Sequence, residues 1–278
     1  MRASLASRVV VGCVALLLAA CETAPTKMAV TNKRDLEQVI SKAQKPIELT
    51  DNTIVLDVRS RFDFGLNHVQ NSLNFPWENL SEDRRSGEPL RDPHQAALRL
   101  SLLGIRPETP VVVLGYGIHG EGEEGRLAWQ LLTLGFQDVQ ISAVEAFRKT
   151  MTPNESPPAL NEKVWVVKER DELHITKAEF LNLNDHRPGH TFIINVREDI
   201  KPPAKIQALT IDWTTFFTTQ GRPNPSIESH LAKLGIGKGD RIILVSEKGV
   251  RSAAAAYALL ALGYSQVQNF TAGWRSLR

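Results

Sequence analysis

The sequence predicts an α/β fold written twice in tandem, each copy a mainly parallel sheet with helices on both faces. Three observations predict it. The chain has 278 residues, 42% of them hydrophobic and 23% charged, the composition of a globular protein with one large or two small domains. Short, β-branched apolar runs alternate with helical stretches such as 94–103 and 126–134, as strands buried on both faces alternate with the helices that cover them. The same blocks also recur in the same order: TIVLDVR at 53–59 with TFIINVR at 191–197, LGIRPETPVVVL at 103–114 with LGIGKGDRIILV at 234–245, and WQLLTLGF at 129–136 with YALLALGY at 257–264. A repeat of this kind defines the unit of folding, and about 120 residues per copy is enough for a core.

The N-terminal segment stands apart from the repeat. Arg2 and Arg8 are followed by twelve apolar residues at 9–20 and then by Cys21. Twelve helical residues reach only ~18 Å, short of a ~30 Å hydrocarbon core, so residues 1–20 read as an export signal and not a membrane span. The ending Leu18-Ala19-Ala20-Cys21 resembles the bacterial lipobox, which implies a diacylated Cys21 as the mature N-terminus. Several acyl chains at about 0.8 kcal/mol per buried CH₂ anchor stably where a single chain does not. Glu22 follows Cys21, which resembles the outer-membrane default of Gram-negative lipoproteins. The expected partner is therefore membrane lipid through Cys21, at a bacterial envelope facing the periplasm.

The remainder divides into a polar tether at 21–31, a first domain at 32–150, a Pro-rich linker at 151–160 and a second domain at 161–278. Proline both interrupts helices and stiffens linkers. Each copy closes with a short strand and a final helix, over 143–150 and 271–278. Lys and Arg total 33 against 31 Asp and Glu, and without Arg2 and Arg8 the charges balance. No basic run marks a nucleic-acid footprint. The two cysteines, Cys13 and Cys21, both precede the domains, so neither domain offers a disulfide, a thiolate metal site or a catalytic thiolate.

Further elements name a family. The first copy has Asp57-Val58-Arg59, then Phe62, then His68-Val69-Gln70-Asn71-Ser72-Leu73-Asn74-Phe75-Pro76; the second has Ser246-Glu247-Lys248-Gly249-Val250-Arg251 between a strand and an Ala-rich helix, then Ala272-Gly273-Trp274. From Thr53 to Arg278 the chain resembles the tandem rhodanese (sulfurtransferase) family. The resemblance implies an active loop of the form Cys-x-x-Gly-x-Arg at 246–251. In such a loop, backbone N–H groups and a helix N-terminus hold an anion, and a cysteine held as thiolate carries sulfur as a persulfide. Here Ser246 stands at the cysteine position, and about Gly115 stands there in the first copy. A serine hydroxyl stays protonated near neutral pH and forms no persulfide. The expectation is a non-catalytic binding or scaffolding module, with a sulfurtransferase of the thiosulfate or mercaptopyruvate type, or a related anion-handling enzyme with a non-cysteine active loop, as the competing class. The residues expected to form the anion-binding remnant are Ser246, Glu247, Lys248, Gly249, Val250 and Arg251, with the Ser246 hydroxyl as an extra donor. An envelope protein and a small anion are the expected partners.

Other patterns point elsewhere and are set against simpler readings. Gly115-Tyr116-Gly117-Ile118-His119-Gly120 is a literal Gly-x-Gly-x-x-Gly, but Glu121, Glu123 and Glu124 crowd the place where a pyrophosphate needs positive potential. The expected alternative is a flexible loop in place of the first copy's active loop. His119 with those acids reads as solvated polar residues, and His186 and His190 are separated by Arg187-Pro188-Gly189, which breaks any shared helix. No cofactor and no metal is therefore expected. Arg251 suits either a ligand or the carbonyls of its own turn. Trp77 and Trp213 occupy matching places and read as core or domain-interface packing.

Overall fold

The computed structural model describes residues 45–83, 86–153 and 163–278. The export signal, the tether, Cys21 and most of the linker lie outside the described residues. The first domain builds a parallel sheet from β1 (Ile54–Asp57), β3 (Leu73–Asn74), β4 (Val111–Gly115) and β5 (Val139–Ala143) in the order β3-β1-β4-β5. The second repeats it with β8 (Thr191–Asn195), β9 (Leu209–Thr210), β10 (Arg241–Val245) and β11 (Gln266–Phe270), and adds β7 (His174–Ile175) beyond β11. The register repeats as well: Asp57 pairs with Leu114 as Asn195 pairs with Val245. Each central strand is apolar along its length because both of its faces are covered, as for Val111, Val112, Val113 and Leu114.

The helices are α1 (Arg61–Leu66), α2 (Pro93–Ser101), α3 (Glu123–Thr133), α4 (Lys177–Asp185), α5 (Ser226–Lys233) and α6 (Val250–Ala261). Asp92 caps α2 by accepting from the His94 N–H at 3.0 Å, with Pro93 in the first turn, and Thr176 and Glu179 form a capping box on α4. The final helix expected in each copy is present and is of the 3-10 type, Val144–Thr150 and Trp274–Leu277. Two expectations are corrected. Met151 and Thr152, expected in the linker, form a strand β6 antiparallel to β2 (His68–Val69). The 115–122 segment, expected as a flexible loop, is shaped around a 3-10 turn at Gly117–His119.

The two domains share one core. Helices α3 and α6 pack against each other, and residues of both domains, including Leu127, Ala128, Trp129, Ala254 and Leu259, belong to one buried cluster. The alanines of α6 permit the approach: a Cβ on Gly125 would lie 2.6 Å from that of Ala254. The Tyr257 hydroxyl donates to the Val139 carbonyl at 2.8 Å, and the Ala143 N–H donates to the Gln220 carbonyl at 2.8 Å. The burial and hydrogen bonds fix the N-termini of α3 and α6 side by side. No helix among the described residues is long and apolar enough to cross a membrane.

Candidate anion-binding loop and its first-domain counterpart

In each copy the central strand runs into a loop that opens the interface helix. The Val58 N–H donates to the Leu114 carbonyl and the Val196 N–H to the Val245 carbonyl, both at 2.9 Å. That equivalence aligns Gly115 with Ser246. Gly122 and Gly249 then cap α3 and α6 with φ of 85° and 77°, a left-handed conformation that glycine adopts without penalty. At Gly249 a Cβ would also collide with the Thr271 carbonyl.

The second-domain loop is braced from behind. The Trp274 N–H donates to the Ser246 carbonyl at 2.9 Å and the Arg275 N–H to the Glu247 carbonyl at 3.0 Å. Gly273 brings that segment close, since a Cβ there would meet the Glu247 carbonyl. Trp274 Nε1 donates to Asn195 Oδ1 at 2.8 Å, tying the loop to the Asn-x-Arg element. From the other domain, Gly87 presses against the Lys248 carbonyl. With its carbonyls held, the loop leaves its donors over: the backbone N–H groups of Glu247, Lys248, Gly249, Val250 and Arg251 donate to no acceptor among the described residues. Consecutive unpaired N–H groups at a helix N-terminus favour an anion.

Ser246 is only 2% exposed. Ser252 Oγ donates to Asn269 Oδ1 at 2.7 Å, so its one proton is committed and Ser246 Oγ is the donor in the 3.0 Å pair with Ser252 Oγ. Ser246 Oγ also accepts the Ser252 N–H at 3.3 Å, and Asn269 Nδ2 donates to the Gly249 carbonyl at 3.1 Å. This corrects the expectation that the Ser246 hydroxyl donates to an anion: its proton is spent inside the protein. No histidine takes part.

A cleft of about 250 Å³ opens above the loop, lined by Ser246, Glu247, Lys248, Val250 and Arg251 and by Trp77, Glu78, Glu121, Glu123 and Arg197. Its two walls come from different domains. Arg251 lies 5.6 Å from the centre of the Trp213 ring and pairs with Glu121 at 2.5 Å. Arg197 is bound at the cleft edge by Asp199, with Nε donating to Oδ1 at 2.6 Å, a hydrogen bond that raises the Arg197 pKa. The matching Arg59 donates to buried Asp57 from Nε and Nη2; in the first domain the Asp-x-Arg element is therefore an internal brace.

The first-domain loop spends several of its donors on itself. The His119, Gly120 and Glu121 N–H groups donate to Tyr116 O, Gly117 O and Glu123 Oε2. At the position of Arg251 stands Glu124, 3% exposed, whose carboxyl crowds against Gly115 and accepts from the Gly117 N–H. Burial pushes its pKa up to about 8. Burial also raises Glu123, helped by the charges of Glu121 and Glu78. The literal Gly-x-Gly-x-x-Gly thus frames a buried acid. No group of His, Cys, Asp and Glu suited to a metal occurs among the described residues. His190 pairs with Asp240 at 3.2 Å, and His186 caps the end of α4. Trp77 and Trp213 are buried, and the Arg126 guanidinium lies 5.5 Å from the Trp77 ring and 5.0 Å from that of Trp129. Sequence reasoning missed Glu78, Glu121, Glu123 and Arg197 as cleft residues; only the repeated Arg of the Asp-x-Arg element carried a trace of one.

Comparison with known proteins agrees with this architecture. The rhodanese-like domain model matches residues 40–143 and again 174–278. The chain belongs to the rhodanese-like domain family and carries the domain in tandem. Among solved structures, wild-type EanB superposes with a TM-score of 0.70 at 17% identity over 89% of this chain and 66% of that one. An EanB variant with a cysteine persulfide and ergothioneine gives 0.70 and 17% over 89% and 68%, and a complex of a variant with hercynine gives 0.69 and 17% over 89% and 66%. At this identity the likeness concerns the fold. A comparison with curated proteins returned no match.

Proposed function

We propose that this protein is a rhodanese-like lipoprotein, anchored through Cys21 to a bacterial envelope membrane facing the periplasm, which works as a binding or scaffolding module and not as a sulfurtransferase. The observation that carries the non-catalytic reading is Ser246. It occupies the position at which the family's loop carries cysteine, and its hydroxyl is bound into the Ser252–Asn269 chain. Oxygen does not take up the sulfane sulfur of a donor, and the Gly115 position has no side chain. The loop amides and Arg251 then serve to hold a small anion or a carboxylate of an envelope protein. A helix N-terminus contributes ~0.3–1 kcal/mol and a charge-assisted hydrogen bond roughly 1.5–3 kcal/mol. At its upper end the sum corresponds to millimolar affinity, about −4 kcal/mol.

A thiosulfate-to-cyanide assay on the full chain tests the reading. The expected rate is that of a heat-treated control. Turnover that persists in a protein with Cys13 and Cys21 replaced by serine favours the sulfurtransferase reading instead, the activity suggested by the persulfide-bearing EanB neighbour. The anchor has its own test: Cys21→Ala is expected to abolish fatty-acid labelling and leave unprocessed precursor.

A further inference from the structure

Three arginines flank the Asp-x-Arg elements and the second-domain loop, and they are held differently. Arg59 donates Nε and Nη2 to Asp57 two residues away, and Arg197 donates Nε and Nη2 to Asp199 two residues away. Both have a two-pronged local partner. Arg251 has neither feature. Its Nη2 is engaged by Glu121 of the other domain, while its Nε is buried with no hydrogen-bond partner. A guanidinium donates best through both prongs of one edge, so the Glu121 contact leaves half of that edge unused.

Glu121 is also built to be there and to leave. Gly122 follows Gly115 by seven positions, whereas Gly249 follows Ser246 by three. The longer first-domain segment is what brings Glu121 over the second-domain loop. The Glu121 N–H is fixed by Glu123 Oε2 at 2.7 Å, yet the Glu121 side chain is 64% exposed, so its carboxylate swings out without disturbing the core. Glu78 and Glu123 lie in the same cleft wall and oppose a third carboxylate beside them.

We propose that Glu121 is an internal competitor for the second-domain loop: it occupies the Arg251 guanidinium, and a small oxyanion with two acceptor oxygens binds by displacing it. This rests on the reading of that loop as an anion site and adds the residue that sets its affinity. The ligand class follows from the geometry. A tetrahedral dianion such as sulfate or phosphate engages Nε and Nη2 together while its other oxygens meet the free amides of 247–251; a monodentate anion gains little over Glu121.

The test is a sulfate titration of the full chain, read from the NMR shifts of the Glu247 to Arg251 amides. Removing an exposed ion-pair partner is worth up to about fivefold in affinity, so Glu121→Gln is expected to bind sulfate about fivefold more tightly than the wild type. Arg251→Ala is expected to lose the binding, and the Glu121→Gln/Arg251→Ala double variant to regain none of it. Binding in Glu121→Gln alone, with none in the wild type, also supports the competitor. Equal affinity in the wild type and Glu121→Gln overturns the competitor and leaves the anion site standing. Unmoved amides in both proteins overturn the anion site and the competitor together.

Discussion

The two strand-to-helix loops of this molecule begin from the same backbone frame and end with opposite chemistry. Both follow a central parallel strand, both cap the interface helix with a left-handed glycine, and their helices pack side by side. In the first loop the amides of Gly117, His119, Gly120 and Glu121 are spent on local acceptors, and the second helical residue is a buried glutamate. In the second the amides are unspent and the same position is Arg251. The fold thus supplies the same strand-to-helix frame twice; in the function proposed above, side chains fill it from inside in the first domain and leave it for an anion in the second. The difference also shows why a family resemblance, even a sound one, does not by itself assign an activity.

The largest expected effect comes from the buried acid. The Glu124 pKa in the folded protein, about 8, stands above the ordinary 4.5, so the native state binds a proton that the unfolded chain has released between those values. The stability this group contributes is complete below pH 4.5 and is lost as pH rises through 8, by roughly 3–5 kcal/mol as an upper range. Urea unfolding across pH 5–9 should show that decline in the wild type and a flatter profile in Glu124→Gln. Arg251→Gln, the same position in the other loop, should leave the decline in place.

The caps separate the loops next. Gly249→Ala puts a Cβ into the Thr271 carbonyl, whereas at Gly122 the nearest atom is the Ala254 Cβ at 3.0 Å. Both substitutions strain a positive φ, but Gly249→Ala should cost about 2–4 kcal/mol and clearly more than Gly122→Ala. A smaller effect is expected for Ser246→Ala, which leaves the buried Ser252 N–H without its acceptor while the Ser252 hydroxyl keeps Asn269. Unsatisfied buried groups of this kind cost about 1–3 kcal/mol, and thermal unfolding is the check.

Much of this is legible in the sequence alone. The β-branched runs and the block repeat defined both sheets, because strands buried on both faces leave an unmistakable apolar record in Val111–Gly115 and Arg241–Val245. The loop was legible for the same reason that it is short: Ser246 through Arg251 are consecutive. The cleft was not. Its opposite wall comes from Trp77, Glu78, Glu121 and Glu123, more than a hundred positions from the loop, and only the packing of α3 on α6 brings them across. Nor was the fate of the Ser246 proton legible, since it depends on Asn269 at the far end of the next strand. The 3-10 character of the copy ends escaped as well, because a single turn carries no periodicity long enough to distinguish one helix type from another.

In the function proposed above, the second-domain loop keeps the family's frame and lacks only the sulfur atom at position 246. Ser246→Cys addresses it directly. A thiolate there accepts the Ser252 N–H and faces the helix N-terminus, which lowers its pKa. The sulfane sulfur of thiosulfate then bonds to the thiolate as sulfite leaves. Proteins treated with thiosulfate are digested, and the peptide containing residue 246 is weighed. This peptide is expected to gain one cyanide-removable sulfur atom in Ser246→Cys and none in the wild type. Sulfur on the wild-type peptide, or none on that of a folded Ser246→Cys protein, would contradict it.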